Sequence, residues 1–345
     1  MLPFIGITQG DPAGIGAEIA VKALSHRDIV SKCNPVIIGD RAVIQDAVDF
    51  THSPLKIHRI SDVSEAVMEY GTINLMDQKL LNPGDWEYKQ ISAIAGNAAF
   101  HYIKKAIDLA LSNEIQAVVT GPISKESLNL AGYHYAGHTE IFAHFTHSEN
   151  VAMLLTGPGL RVIHVSTHVS MRRACELVTK ERVYSVIRHA VKACRMLGID
   201  RPRIGVAGLN AHCSENGLFG SEEADAIIPA IYKAQSEGIC VAGPVPPDTI
   251  FVKAMADDFD IVVAMYHDQG HIPLKLCGFK KNPDTGQFTQ LNGVNATIGL
   301  PIIRTSVDHG TAFDKAGDGC ANEQSMVEAI QMAAFMAGRM YGKAL

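Results

Sequence analysis

The chain has 345 residues, 47% hydrophobic and 19% charged, with a formal net charge of −6. That is an ordinary globular composition, long enough for one large α/β unit or two joined domains, and it excludes a disordered chain. No run of Lys or Arg occurs, which argues against a nucleic-acid surface, although a local basic pocket for a small anion stays compatible with the acidic balance.

In chain order, a strand over Phe4–Thr8 leads into Gly10-Asp-Pro-Ala-Gly-Ile-Gly-Ala-Glu18 and a helix over Ile15–Leu24. The glycines permit a tight turn and a close backbone approach to a ligand, but the match to G-x-G-x-x-G is poor. A plain strand-to-helix turn is an equal reading. A strand over Val36–Gly39, a helix over Asn97–Leu111 and a strand over Ala117–Thr120 follow. Gly137-His138-Thr139-Glu140 opens a further helix, with Thr139 placed to cap it and His138 to face an anion at its N-terminus. Next come a strand over Arg161–Val165, a helix over Glu181–Met196, a strand over Ile204–Ala207, a helix over Glu222–Gln235 and a strand over Ile261–Met265. Residues 280–290 are polar, with Pro283 and Gly286, and read as a surface insertion. Short strands over Val294–Thr297 and Ile302–Thr305 precede residues 305–319, a functional loop of small and polar residues, and a helix over Gln324–Met340.

Apolar strands alternating with amphipathic helices predict an α/β fold with a mostly parallel sheet. No flexible linker divides the chain, so two domains would be crossed more than once. The seven cysteines (Cys33, Cys175, Cys194, Cys213, Cys240, Cys277, Cys320) are scattered and form no C-x-x-C pair. They predict free thiols in a reducing compartment. Without a leader-like N-terminus, or an apolar run near the ~20 residues that span a bilayer, the expected location is the cytoplasm, with no membrane or nucleic-acid partner.

Three predicted strands end in polar, reactive residues: Ser166-Thr167-His168, Gly208-Leu-Asn-Ala-His212 and Tyr266-His267-Asp268-Gln269. In open α/β sheets ligands bind beyond the carboxyl ends of strands. Three neutral imidazoles with an open position also form a catalytic site for a divalent metal. Lys275 and Arg304 lie beside apolar stretches, where a buried cation needs a partner; a phosphate, a carboxylate or a structural Asp would each serve.

At these residues the sequence resembles the 4-hydroxythreonine-4-phosphate dehydrogenase family. The resemblance is carried by Gly10–Gly16, Thr120-Gly-Pro122, Gly137–Glu140, Pro247-Asp-Thr249, Ala264–Gly270, Gly299-Leu-Pro301 and Asp308-His-Gly-Thr-Ala312. It implies the two-domain, non-Rossmann fold of isocitrate and isopropylmalate dehydrogenases, with mostly parallel sheets. The implied domains are residues 1–128 with 300–345, and 129–299, with the active site in the cleft between them. It further implies metal ligands His168, His212 and His267, and substrate contacts His138, Thr139, Lys275, Asn295 and Arg304. Acidic residues Asp248 and Asp268 would order the site, and the loop at His309-Gly310 would take the adenine side of the cofactor. The family is dimeric, so a homodimer with shared active sites is expected.

Ile163-His-Val-Ser-Thr-His168, Asn216–Gly220 and Gly270-His-Ile-Pro-Leu-Lys275 bring the chain closer to the branch acting on 4-phospho-D-threonate or 4-phospho-D-erythronate. Two stretches depart from the family. Asn210-Ala-His-Cys-Ser-Glu215 stands where Asn-Pro-His-Ala-Gly-Glu is usual, and residues 280–290 interrupt a direct connection. The implied reaction is oxidation at C3 by NAD (or NADP), assisted by one divalent metal (zinc, or magnesium, manganese or cobalt). Loss of CO₂ would then give dihydroxyacetone phosphate. Asp248, Asp268 and Lys125 are candidates for the general base. The rival substrate is 4-hydroxy-L-threonine 4-phosphate, of pyridoxal phosphate synthesis. The rival class is a non-enzymatic metal- or phosphate-binding protein of the same fold.

Overall fold

Strands that are apolar on both faces need cover on both faces. In the computed structural model, which describes residues 2–281, 288–291 and 293–342, helices supply it. The chain divides into two units, Met1–Glu149 with Leu300–Leu345, and Asn150–Gly299. It runs through β1 (Phe4–Thr8), β2 (Asn34–Gly39), β3 (Lys56–Ile60), β4 (Thr72–Asp77) and β5 (Ala117–Thr120) in the first unit. The second unit holds β6 (Ala152–Gly157), β7 (Leu160–His164), β8 (Ile204–Ala207), β9 (Val241–Val245), β10 (Ile261–Ala264), β11 (Phe279–Lys281), β12 (Phe288–Leu291) and β13 (Val294–Ile298). The chain then returns to the first unit as β14 (Ile303–Val307).

In the first unit the strand order is β3-β4-β2-β1-β5-β14, parallel throughout. Its centre is fully buried: Ile5, Ile7, Val36, Ile37, Ile38, Ile73 and Leu75 are all at 0% exposure. In the second unit the order is β13-β6-β7-β10-β8-β9. β6 runs antiparallel to β13 and β7, while β7, β10, β8 and β9 are parallel. No helix among the described residues is long and apolar enough to cross a membrane.

Most predicted elements appear within a few residues of their expected bounds, and caps account for the shifts. Ser92 accepts a hydrogen bond from the Ala95 N–H, which starts that helix at Ala93, and Thr179 caps Lys180–Met196 in the same way. Six strands, β3, β4, β6, β9, β11 and β12, went unpredicted. β3 is an edge strand with Lys56 and Arg59 exposed, and β9 contains Gly243-Pro244, a pair that reads as a strand breaker. Residues 280–290 were expected to be a loop. Their arms instead pair as an antiparallel ribbon, β11 with β12. Residues 282–287 lie outside the described residues.

The glycine-rich turn after β1 is shaped by packing. A Cβ at Gly16 would lie 2.1 Å from the Gln9 carbonyl oxygen, and one at Gly14 3.0 Å from Thr311 Cβ. The Ile15 N–H donates to the Thr311 carbonyl at 3.1 Å, so this turn supports the loop that follows β14. Gly16→Ala is expected to destabilise the fold by about 3 kcal/mol, because the clash is with backbone. Denaturant unfolding checks this, and an unchanged midpoint would contradict it.

Candidate active site

The order β7-β10-β8-β9 sets four parallel strand ends side by side. The segments leaving them carry His168, His267, His212 and Asp248 in that order. Sequence adjacency could not reveal this, because β10 enters between β7 and β8.

His267 opens the helix His267–Gly278. Its Nδ1 lies 2.6 Å from Asp268 Oδ1, a carboxylate acceptor that fixes the proton on Nδ1 and leaves the Nε2 lone pair outward. Its ring centroid is 5.7 Å from that of His168. His271 and Lys275 follow at intervals of four, so the three share one helix face. Buried Gln269 ties two strand ends together, accepting from the Met265 N–H at 2.6 Å and donating to the Gly208 carbonyl at 2.8 Å. The Ser166 hydroxyl adds a bond to the Met265 carbonyl at 3.0 Å.

His212 stands on an unusual stretch. Five successive non-glycine residues, His212 to Asn216, have φ of 50°, 56°, 65°, 46° and 57°. The left-handed region crowds Cβ against the carbonyl and costs roughly 1–2 kcal/mol per residue. Contacts at its entrance hold it. The Glu223 carboxylate, 1% exposed, accepts from the N–H groups of Leu209 and Asn210, each at 2.8 Å, and from Asn210 Nδ2 at 2.9 Å. Burial pushes the neighbouring Cys213 thiol up to about 11, helped by the charges of Glu223 and Asp248. Asp248 itself lies three residues beyond the end of β9.

Among the described residues no three His, Cys, Asp or Glu side chains already converge closely enough to hold an ion. His168 and His267 approach one another, whereas His212 is exposed on its own loop. The donor set still suits a divalent cation, since all three are imidazoles leaving neighbouring strand ends and one has its second nitrogen engaged by a carboxylate.

In the same unit Lys275 is half-buried, and Asn295 lies on β13 opposite Leu155. Asn295 Oδ1 is buried without a hydrogen-bond partner.

The remaining candidates lie in the first unit. Arg304, on β14 and 3% exposed, donates from Nη2 to Thr120 Oγ1 at 2.7 Å and lies 5.8 Å from the Phe142 ring centroid. Burial pulls its guanidinium down to about 9, opposed by the Glu140 carboxylate, so it stays charged at neutral pH. His138 and Thr139 begin the helix His138–Phe145. Thr139 does not cap it, as its position had suggested: Gly137 is the N-cap and no side-chain cap bond forms. Burial, then the Arg304 charge, hold His138 well below the usual histidine range, and its Nε2 is buried without a partner.

After β14, His309 Nδ1 lies 3.0 Å from the Gly310 carbonyl, while its Nε2 is buried without a partner. A Cβ at Gly310 would meet nothing within 4 Å, so packing does not require glycine there. With the ring proton on Nδ1, facing that carbonyl, the buried Nε2 is an unpartnered acceptor.

Sequence reasoning missed four supporting residues: Glu223, Gln269, His271 and His164. The last is 1% exposed and is pushed down to about 3 by burial and by the neighbouring His271. An unfolded histidine titrates near 6.5. Between these values the unfolded chain binds the extra proton, so stability falls as pH falls from about 6.5 toward 3, by about 1.4 kcal/mol per pH unit for this group. Urea unfolding of His164→Gln should show a shallower pH dependence over pH 4–6.5 than the unmodified protein, and equal slopes would contradict the assignment.

Known proteins share both the sequence and the fold. Residues 31–333 match the family described as pyridoxal phosphate biosynthetic protein PdxA. The D-threonate 4-phosphate dehydrogenase of Cupriavidus necator is 45% identical over 339 residues, covering 98% of each chain. A solved 4-hydroxythreonine-4-phosphate dehydrogenase from Burkholderia phymatum is 47% identical, with a TM-score of 0.83 and coverage of 97% and 98%. One from Klebsiella pneumoniae is 42% identical, with a TM-score of 0.86 and 98% coverage of each chain. Agreement in sequence and backbone over almost the full length leaves one conclusion: the chain belongs to the PdxA family.

Proposed function

We propose that this oxidoreductase oxidises and decarboxylates a phosphorylated four-carbon 3-hydroxy acid, 4-phospho-D-threonate or 4-phospho-D-erythronate, using NAD. The products are dihydroxyacetone phosphate and CO₂. The observation that carries the reading is the series of imidazoles at three adjacent parallel strand ends, with Asp268 engaging the central one. The name of the Cupriavidus necator relative supports the choice of substrate.

A divalent metal (zinc, or magnesium, manganese or cobalt) held by His168, His212 and His267 would supply Lewis acidity at the reacting hydroxyl, and NAD would take the hydride. The protein does the rest. Asp268 keeps His267 in one tautomer and orientation, and Asp248 lies beside the His212 segment. Arg304, Lys275 and Asn295 bind the phosphate, with His138 and Thr139 as further substrate contacts. Charge-assisted bonds of this kind are the strong ones and set the distance from anion to reacting carbon. His138, held neutral by burial, shares its one N–H with the Gly121 backbone, so its free Nε2 would accept a hydrogen bond from a substrate hydroxyl. His309 and Gly310 receive the adenine side of the cofactor.

The protein acts as a homodimer. The dimers implied by the family resemblance are the support for this reading.

The second reading, oxidation of 4-hydroxy-L-threonine 4-phosphate, is favoured by the names of the two solved relatives. The substrates differ at C2, hydroxyl against amino. Steady-state kcat/KM for all three compounds, each with NAD and with NADP, separates the readings. A preference of about tenfold or more for a hydroxy acid with NAD is expected, about 1.4 kcal/mol in the transition state. The reverse preference would overturn the proposal.

A further inference from the structure

We propose that His271 is a positioning residue for His267, holding the plane of that ring, and that buried His164 is the base on which it rests. This depends on the reading of His267 as a metal ligand.

His267 and His271 lie one turn apart on the same helix, and their rings stack with centroids 3.6 Å apart and planes 13° from parallel. The His271 ring is itself held, because its Nδ1 meets the His267 carbonyl at 2.9 Å. Behind it stands His164, with centroids 4.9 Å apart and the rings inclined by 44°. His164 belongs to β7, is 1% exposed, and its Nδ1 faces the Met153 carbonyl of β6 at 3.2 Å. Residue 270 has no room for a side chain, since a Cβ there would lie 2.4 Å from His164 Nε2. An unbroken line of contacts thus runs from the sheet through two imidazoles to the face of a third.

An imidazole on a half-exposed helix start turns about two side-chain torsions. The Asp268 carboxylate holds the His267 ring at one edge nitrogen, which still lets the ring pivot about that bond. A flat partner against the ring face removes the pivot. With edge and face both held, Nε2 keeps one direction before any metal arrives, and less freedom is lost on binding. Groups that orient a ligand in this way change metal affinity by roughly 10–100-fold when removed. A residue that merely filled space would be replaceable by any apolar side chain of similar volume.

The test is a Co(II) titration of metal-free protein, followed by visible absorption, with the apo thermal midpoint measured for each variant. His271→Ala is expected to bind Co(II) about tenfold or more weakly. His271→Phe, which restores a flat face, should return to within about threefold of the unmodified protein. His271→Leu fills the same space without a flat face and should stay weak; the Phe and Leu pair decides the matter even if the alanine variant folds poorly. Equal Co(II) affinity in the Leu and Phe variants, whether both strong or both weak, would overturn the proposal. His267→Ala is the control. If it binds Co(II) as well as the unmodified protein, the ligand reading itself fails, an outcome distinct from failure of the His271 inference.

Discussion

Replacing His267 with alanine is expected to cost about 10³-fold in turnover and to empty the metal site in the same step. Lewis-acid activation contributes several kcal/mol to a reaction that develops alkoxide character, and each 1.36 kcal/mol is a factor of ten. His267 is central among the three strand-end histidines, so its loss leaves His168 and His212 on strand ends that are not neighbours. It also leaves Asp268 without its partner. The side chain is only half-buried, with 36% of its surface exposed, so the thermal midpoint should move little. Metal content by atomic absorption, turnover and midpoint, measured together, separate a site defect from a folding defect. Full activity in rigorously metal-free protein would refute the metal reading outright.

Arg304→Ala should raise KM for the phosphorylated substrate by about 100-fold, equivalent to about 2.7 kcal/mol of lost charge-assisted hydrogen bonding. KM for NAD should stay within about twofold. The guanidinium is a buried cation that keeps its charge at neutral pH, held by the Thr120 hydroxyl and the face of Phe142 and favoured by the Glu140 carboxylate. An anion arriving there would meet a donor already desolvated and oriented. Arg304→Lys should be nearly as damaging, because an ammonium cannot reproduce the planar fork. If KM for NAD rose while that for substrate held, Arg304 would belong to the cofactor.

The strongly apolar strands were legible before any coordinates, because a parallel strand covered on both faces is a short unbroken apolar run, as β1, β5, β8 and β10 are. The edge strand β3 and the proline-bearing β9 were not, since each breaks that pattern for a local reason. In the site, the histidines drew notice because they follow apolar runs. Their neighbourhood could not be read, since it depends on β10 entering between β7 and β8. Gln269 bonds to the Gly208 carbonyl across 61 residues, and Glu223 holds Leu209 and Asn210 through a fold-back of the chain; neither leaves a periodic trace. His271 did leave one, at four residues from His267, but spacing alone does not separate a stacking partner from a surface residue. The left-handed run at His212 to Asn216 was invisible, because three of its five residues, Cys213, Ser214 and Glu215, are types that rarely adopt that conformation.

The first unit is interrupted in sequence, whereas the second, Asn150–Gly299, is one continuous stretch. β5 receives its partner β14 through Ala117 and Ile303, residues separated by the whole of the second unit. During synthesis the second unit is therefore complete while the first still has an open sheet edge at β5, and domains fold as they emerge. β14, made after the whole second unit, carries Arg304 and leads directly to His309. A nascent chain halted near residue 299 would carry all three strand-end histidines yet lack both Arg304 and His309. If Arg304 grips the substrate phosphate as proposed, that grip is completed only once β14 has joined the sheet edge at β5.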